Sequence, residues 1–390
     1  MSRWVIAELW QSGRDLWGSS FTALRRNNGS VTTPARPSVG AFELAQIVES
    51  TWADSTRRAY SSQWAQVQLW CQQQGVESLP LAPHVLARHL RFCAQVARAD
   101  GSPAASTSTL ALRVAAANAV HRVAGLPEPG RDAVVVAAMA SIRRHRRRPP
   151  RQAAAFDVDM LRTTLSHMDF RHWPGSVAAR RDAALLLLGF AGALRRSELV
   201  SLRASDVSFQ PGGEVEPHLR VMIRASKTDQ FGAGDVIAVP VGARRDTCVP
   251  CAVRAWLVLS GADDRPGAMA AARELSQIDS DHHCGDPWPE VSADQPLLRR
   301  VHRFGAVGDQ ALSGSSVGAV LSRRMSAAGL DPQQFSAHSL RAGFVTTADA
   351  GGALLTAIMR QTRHRKPETV MRYIRHANPM AGNAVKSVGL

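Results

Sequence analysis

His364-Arg-Lys-Pro-Glu-Thr-Val-Met-Arg-Tyr373 sets one of the chain's two tyrosines nine residues after a histidine. A phenol with a pKa of about 10 is a poor nucleophile at neutral pH unless its surroundings stabilise the negative charge that develops on the group it attacks. Upstream residues can supply such surroundings: Arg195 in Gly192-Ala-Leu-Arg-Arg-Ser-Glu-Leu199, Lys227 in Ala225-Ser-Lys-Thr-Asp229, and His338-Ser-Leu-Arg341. Cations, a proton carrier and a phenol in this order describe phosphoryl transfer on DNA, with Tyr373 as candidate nucleophile.

Composition agrees with a polyanionic partner. The formal charge is +15 over 390 residues, and a field of that sign favours nucleic acid or an anionic membrane surface. Membrane is the weaker choice, because no apolar run reaches the roughly 18 residues of a spanning helix. Trp4-Val-Ile-Ala-Glu-Leu-Trp10 is interrupted by Glu8 and lacks a signal peptide's apolar stretch. The chain is therefore expected in the cytoplasm, associated with the nucleoid. Arginine makes up nearly all of the 47 basic residues, the lysines being Lys227, Lys366 and Lys386. A lysine where arginine is the habitual choice suggests a group needed for its proton, and Lys227 is such a residue.

Five scattered cysteines, an odd number, argue against a disulfide framework. Cys248-Val-Pro-Cys251 and His282-His283-Cys284 hold enough ligand types for a tetrahedral zinc site. Cys251 also opens the apolar helical run Ala252-Val-Arg-Ala-Trp-Leu257, so packing is the preferred reading, and neither a metal nor another cofactor is expected.

The length and a 45% hydrophobic content allow two cores. Residues 1–41 end in Asn27-Asn-Gly-Ser-Val-Thr-Thr-Pro-Ala-Arg-Pro-Ser-Val-Gly40, a linker composition. Residues 42–142 show helical periodicity, with Tyr60, Trp64, Val67 and Trp70 on one stripe, then Val85, Leu86, Leu90 and Phe92, then Leu110 to Val123. This predicts a compact domain of four or five helices in which Tyr60 packs rather than reacts. The run Arg143-Arg-His-Arg-Arg-Arg-Pro-Pro-Arg151 should form an exposed basic linker over 143–152, since two prolines stop a helix and six arginines cannot be buried unpaired. Arg143, Arg144, Arg146, Arg147, Arg148 and Arg151 are accordingly candidate phosphate contacts, against the alternative of a solvated charge run.

Residues 153–385 form the second expected domain. Asp182-Ala-Ala-Leu-Leu-Leu-Leu-Gly-Phe190 is apolar on most sides and predicts a central buried helix. His218-Leu-Arg-Val-Met-Ile-Arg-Ala225 and Asp235-Val-Ile-Ala-Val-Pro240 predict two strands joined by a turn, with Lys227 at the hairpin. Residues 261–293, rich in Asp, Ser, Pro and Gly, read as a surface insertion of unassigned role. Helices resume near Ser315. His338 and Arg341, three apart at a helix start after Phe335-Ser336, share one face while Leu340 and Phe344 pack on another. Arg195 follows the break at Gly192 and precedes a new helix at Ser197-Glu-Leu199; taken alone, it reads as a surface arginine or an ion pair with Glu198.

In this order the residues resemble the tyrosine recombinases of the phage integrase family, which includes the Xer recombinases, over residues 42–385. Ala193-Leu-Arg195-Arg-Ser-Glu-Leu199 matches the family's first-arginine box, with Ala193 in place of the usual glycine. Lys227 matches the β-hairpin lysine, His338 to Arg341 the His-x-x-Arg box, His364 the second histidine and Tyr373 the nucleophile. Arg363 stands where many members have glycine, and the 261–293 insertion lengthens one span.

The resemblance implies a mainly α fold with a small antiparallel β-sheet, arranged as a two-domain DNA clamp of a helical core-binding domain and a catalytic domain. It also implies a site-specific recombinase or integrase of a mobile element that works through a 3′-phosphotyrosyl intermediate without metal or ATP. In this reading Arg195 and Arg341 clamp the scissile phosphate, and His338 accepts the Tyr373 proton or binds the phosphate. His364 donates to the phosphate oxygens, and Lys227 protonates the departing 5′ oxygen. The expected partner is double-stranded DNA carrying inverted repeats, bound by a homotetramer on two sites. A type IB topoisomerase, a DNA-binding protein without catalysis and a zinc-dependent interaction module are the rival readings.

Overall fold

The computed structural model describes residues 52–99, 101–146, 154–224, 234–262, 265–277 and 281–374. The chain divides into two compact units, Met1–Pro150 and Arg151–Leu390.

Among the described residues of the first unit, four helices surround one core: α1 (Asp54–Gln73), α2 (Pro83–Gln95), α3 (Thr107–Val123) and α4 (Ala133–His145). Their starts are written in the sequence. Pro83 occupies the first turn of α2, where its missing N–H costs nothing. The Ser106 hydroxyl accepts from Thr109 N at 3.1 Å, and the Asp132 carboxylate accepts from Val134 N at 2.8 Å. Trp64, Val67, Trp70, Leu86, Leu90, Leu110, Val135 and Met139 are buried together. Two expectations are corrected here. Phe92 is 51% exposed, because it lies two residues beyond Leu90 and so on the far side of α2; Cys93 takes the inward place. Tyr60 is half-buried and stands edge-on to Trp52, outside the core.

The second unit is built on α6 (Gly175–Ala191), a helix buried along nearly its whole length and packed against α8 (Val249–Ser260) and α11 (Ala337–Ala350). Around it lie α5 (Val158–Ser166), α7 (Arg196–Ser201), α9 (Arg265–Gln277), α10 (Gly314–Ala327), α12 (Leu355–Thr362) and α13 (Pro367–Met371). Three charged residues of α6 are buried, Arg180, Arg181 and Asp182: Asp182 meets Arg181 at 2.7 Å and Arg323 and Arg324 of α10 at 2.8 Å each, so a fully buried carboxylate ties two helices together.

An antiparallel sheet of order β1-β2-β3 comprises Val207–Gln210, His218–Ile223 and Asp235–Pro240. Leu219, Val221 and Ile223 alternate inward, as the sequence pattern requires. The short β1 and the pair β4 (Arg299–Val301) and β5 (Val307–Ala311) carry too few residues for a periodicity signal. The insertion contains more order than its composition suggests: α9 buries Ala268, Ala272 and Leu275, spaced four and three apart, among flanking turn-forming residues that obscure the pattern. Among the described residues no helix is long and apolar enough to cross a membrane.

The position of α11 depends on a close backbone approach. Phe156 N donates to Ser339 O at 3.1 Å, and a Cβ on Gly343 would lie 1.8 Å from the Phe156 carbonyl oxygen. Backbone cannot rotate away as a side chain can. Gly343→Ala should therefore destabilise the protein by about 3 kcal/mol, the upper range for overpacking, measured by urea unfolding of the two proteins.

Candidate active site

Two helix C-termini converge on one arginine. At the end of α6, Leu194 N donates to Gly189 O and Ala193 N to Phe190 O; at the end of α12, His364 N donates to Met359 O and Arg363 N to Arg360 O. Both pairs form the Schellman pattern, whose left-handed residue is normally glycine. Here those residues are Ala193 (φ 44°) and Arg363 (φ 57°), the only non-glycine residues with positive φ among those described. They are also the two positions at which the sequence departs from the family's glycines. Each departure carries a left-handed penalty of about 1–2 kcal/mol.

The carbonyls at these helix ends are capped by side chains. Arg341, in the first turns of α11 and 1% exposed, donates through Nη1 to Ala193 O at 2.5 Å and through Nη2 to Thr362 O. Gln361 Nε2 donates to Ala191 O at 2.8 Å, and Arg363 Nη1 to Gly192 O at 3.4 Å. Carbonyl ends of helices carry partial negative charge, which helps to hold a buried guanidinium. The compensation is incomplete: burial, with Arg195 and Arg363 nearby, pushes the Arg341 pKa down to about 9.

Arg195 precedes α7 and is fixed from below by Glu198, whose carboxylate accepts from Arg195 N at 2.8 Å and from its Nη1 at 2.6 Å. The same carboxylate accepts from Arg363 Nη2 at 2.7 Å. Burial acts to raise the Glu198 pKa, but Arg363 and Arg195 outweigh it and hold the carboxyl below its ordinary range. Two guanidiniums therefore share one carboxylate with the Arg341 guanidinium nearby, and the excess positive charge is suited to an anion such as a phosphodiester. Arg363 is a member of this cluster that the motif comparison treats only as a missing glycine.

Tyr373 lies just beyond α13, with its hydroxyl 2.6 Å from His338 Nε2. Ser336 caps α11 by accepting from His338 N at 3.2 Å, and Thr346 of α11 donates to Tyr373 O at 3.1 Å, so one helix positions both partners. Burial first, then Arg341 and Arg195, lowers the His338 pKa below its ordinary value. A neutral imidazole at hydrogen-bond distance can take the phenol proton. The Tyr373 hydroxyl thus lies beside the histidine and arginines of its own chain.

His364 is differently placed from the expectation. Its Nε2 lies 3.1 Å from Arg341 Nη2 and its Nδ1 2.7 Å from Thr362 Oγ1. An arginine can only donate, so Nε2 accepts in this contact, which places His364 to orient Arg341. Burial and the surrounding arginines push its pKa down to about 4, consistent with that neutral role. Lys227, Arg147, Arg148 and Arg151 lie outside the described residues. Arg143 and Arg144 are exposed in the last turn of α4, whereas Arg146 turns inward: its Nη1 donates to Ala105 O at 2.6 Å and its Nη2 to Ala94 O. The Arg146 fork thus contacts the backbone of its own unit, which corrects its reading as an exposed linker arginine.

No protein-family model matches the chain. It is 32% identical to an integrase/recombinase xerD homolog of Selenomonas ruminantium over 348 residues, 88% of either protein. The chain belongs to the tyrosine recombinase family. A second relative in the family, recombinase cre of Escherichia phage P1, is 24% identical over 81% of this chain and 82% of that protein. A solved lambda integrase dimer bound to a COC′ core site is 14% identical, with 96% of this chain and 87% of that one covered at a TM-score of 0.49.

The left-handed arginine gives a direct test of the site's electrostatics. Arg363→Ala keeps the strain and breaks a buried pair, at a cost of about 3–5 kcal/mol. Arg363→Gly breaks the same pair but removes the strain, and should be the more stable variant by about 1–2 kcal/mol in chemical denaturation.

Proposed function

We propose that this tyrosine recombinase exchanges DNA strands at a specific site through Tyr373, and that the 2.6 Å contact between Tyr373 and His338 beside the arginine cluster is the observation that carries the assignment. Arg195 and Arg341 receive the non-bridging oxygens of the scissile phosphate, with Arg363 and Glu198 setting the position of Arg195, and His364 that of Arg341. The Tyr373 oxygen attacks phosphorus as its proton passes to His338. The bond from phosphorus to the 5′ oxygen breaks, and that oxygen takes a proton from Lys227, leaving a 3′-phosphotyrosyl bond. Guanidinium charge stabilises the transition state as a divalent ion does elsewhere. The phosphotyrosyl bond conserves the phosphodiester's energy, so a 5′ hydroxyl from a partner duplex reverses the step without ATP.

Residues 42–142 act in this reading as the core-binding domain and 153–385 as the catalytic domain. Exchange between two duplexes needs four cleavages, which favours a homotetramer on two inverted-repeat sites. The net charge of +15 supports binding along the DNA backbone, with the nucleoid as place of action.

Tyr373→Phe should bind DNA as the natural protein does and form no covalent adduct on a nicked suicide substrate resolved by denaturing gel. An adduct from the Phe variant would move the nucleophile elsewhere. The pH profile of adduct formation tests the base. Because the His338 pKa is lowered, the active neutral form persists as pH falls through 6.5, and the rate should decline only at lower pH. A decline centred at 6.5 or above would remove His338 as the base.

Exposed Arg143 and Arg144 are the described linker residues free to meet phosphates. Changing both to Ala should reduce the slope of log binding constant against log salt by up to about 2, measured by fluorescence anisotropy. An unchanged slope returns them to solvated charge.

A further inference from the structure

The catalytic residues leave one chemical cluster of the second unit unused. Cys248, Cys251 and Cys284 are buried together against Phe209 and Val241, and exposed His282 leans over them. Their ligand atoms, one from each residue, all lie within 4.8 Å of one another. We propose that Cys248, Cys251, His282 and Cys284 hold one structural zinc ion.

The donor set is that of a closed tetrahedral site, three sulfurs and one imidazole nitrogen. With Zn–S of about 2.3 Å and Zn–N of about 2.0–2.1 Å, a tetrahedron has S···S edges of about 3.8 Å and S···N edges of about 3.6 Å. Cys251 Sγ and His282 Nδ1 are 3.5 Å apart, so one edge is already at coordination length, and small side-chain rotations bring the others in. Thiolate-rich donors select zinc over calcium or magnesium, which prefer oxygen. The spacing is that of a knuckle: Cys248 and Cys251 flank the first turn of α8, and His282 and Cys284 arrive on an irregular loop.

That loop is held where a ligand loop must be. Trp288 Nε1 donates to Cys284 O at 2.9 Å while its ring stacks on Phe209 of β1 at 6.0 Å. Arg254 of α8 donates through Nε to Pro287 O at 3.1 Å and pairs with Asp286 at 3.5 Å. Such outer contacts fix the direction of metal ligands. The ion would close the segment 261–293 onto the start of α8, and so give the insertion a structural role. Simple packing does not account for an exposed histidine turned onto three buried thiols.

The test uses full-length protein purified with reductant and without chelator. Elemental mass spectrometry should find one zinc per chain, and Cys248→Ser and Cys284→Ser should abolish it, whereas Cys71→Ser and Cys93→Ser in the first unit should leave it. His282→Ala, an exposed change that spares the fold, should release zinc to a competing chelator at least about tenfold more readily. Should the cysteine variants misfold, cobalt titration of metal-stripped natural protein answers independently, through the charge-transfer and d–d bands of tetrahedral thiolate coordination. Failure of the reduced protein to bind either metal overturns the proposal. So does a disulfide among these thiols in the protein as purified, or zinc retained when Cys248 and Cys284 are both changed.

Discussion

Arg341 is held where two helices end, and the site depends on that placement. A guanidinium that is 1% exposed needs acceptors, and the chain provides them as the carbonyls left unpaired at the C-termini of α6 and α12. Both helices stop in left-handed turns, and both turns use a residue with a side chain. At Ala193 the price is a methyl group in a strained conformation. At Arg363 the strained residue contributes a cation, which binds Glu198 and caps Gly192, so the turn and the charge cluster form one structure.

The excess positive charge acts twice. It suits guanidiniums that share one carboxylate to the anion of the proposed reaction, and it disfavours charge on the neighbouring imidazoles. Burial already disfavours a charged His338, and Arg341 and Arg195 add to the effect. A group that is to accept a proton from a phenol at neutral pH must not already carry one, so in the proposed reaction the arginines that would stabilise the transition state also prepare the base.

Much of this was legible in the sequence, for identifiable reasons. His338 and Arg341 sit three apart at a helix start, so spacing put them on one face, whereas Arg195 was singled out by the order of the motifs and the resemblance that order carries. The inward face of α6 and the β2-β3 pairing followed from periodicity. What escaped the sequence was tertiary: the acceptor role of His364 depends on Arg341 reaching it from another helix, and Arg146 turns in to carbonyls distant in sequence. The cysteine cluster was visible as a possible ligand set, but packing was preferred because Cys251 opens an apolar helix and reads as core. Only the fold returns the loop with His282 and Cys284 to that helix start. Phe92 shows the opposite error, an apolar residue assigned inward by type when its position on α2 points it outward.

Tyr373 and the arginine cluster are held with unequal firmness, and the inequality suits the proposed reversible transfer. Arg341 and Glu198 are buried in the main framework of the second unit. Tyr373 follows a five-residue helix and is fixed through Val370 in a small apolar cluster with Val345 and Ile358, the backbone contact from Thr346 and the hydroxyl contact to His338. A tyrosine joined to DNA must follow the phosphate as the strand is handed to a new 5′ hydroxyl. In the proposed reaction the buried charges would define where the phosphorus reacts, while the short α13 segment would let the phenol oxygen approach, bond and withdraw without unpacking the core.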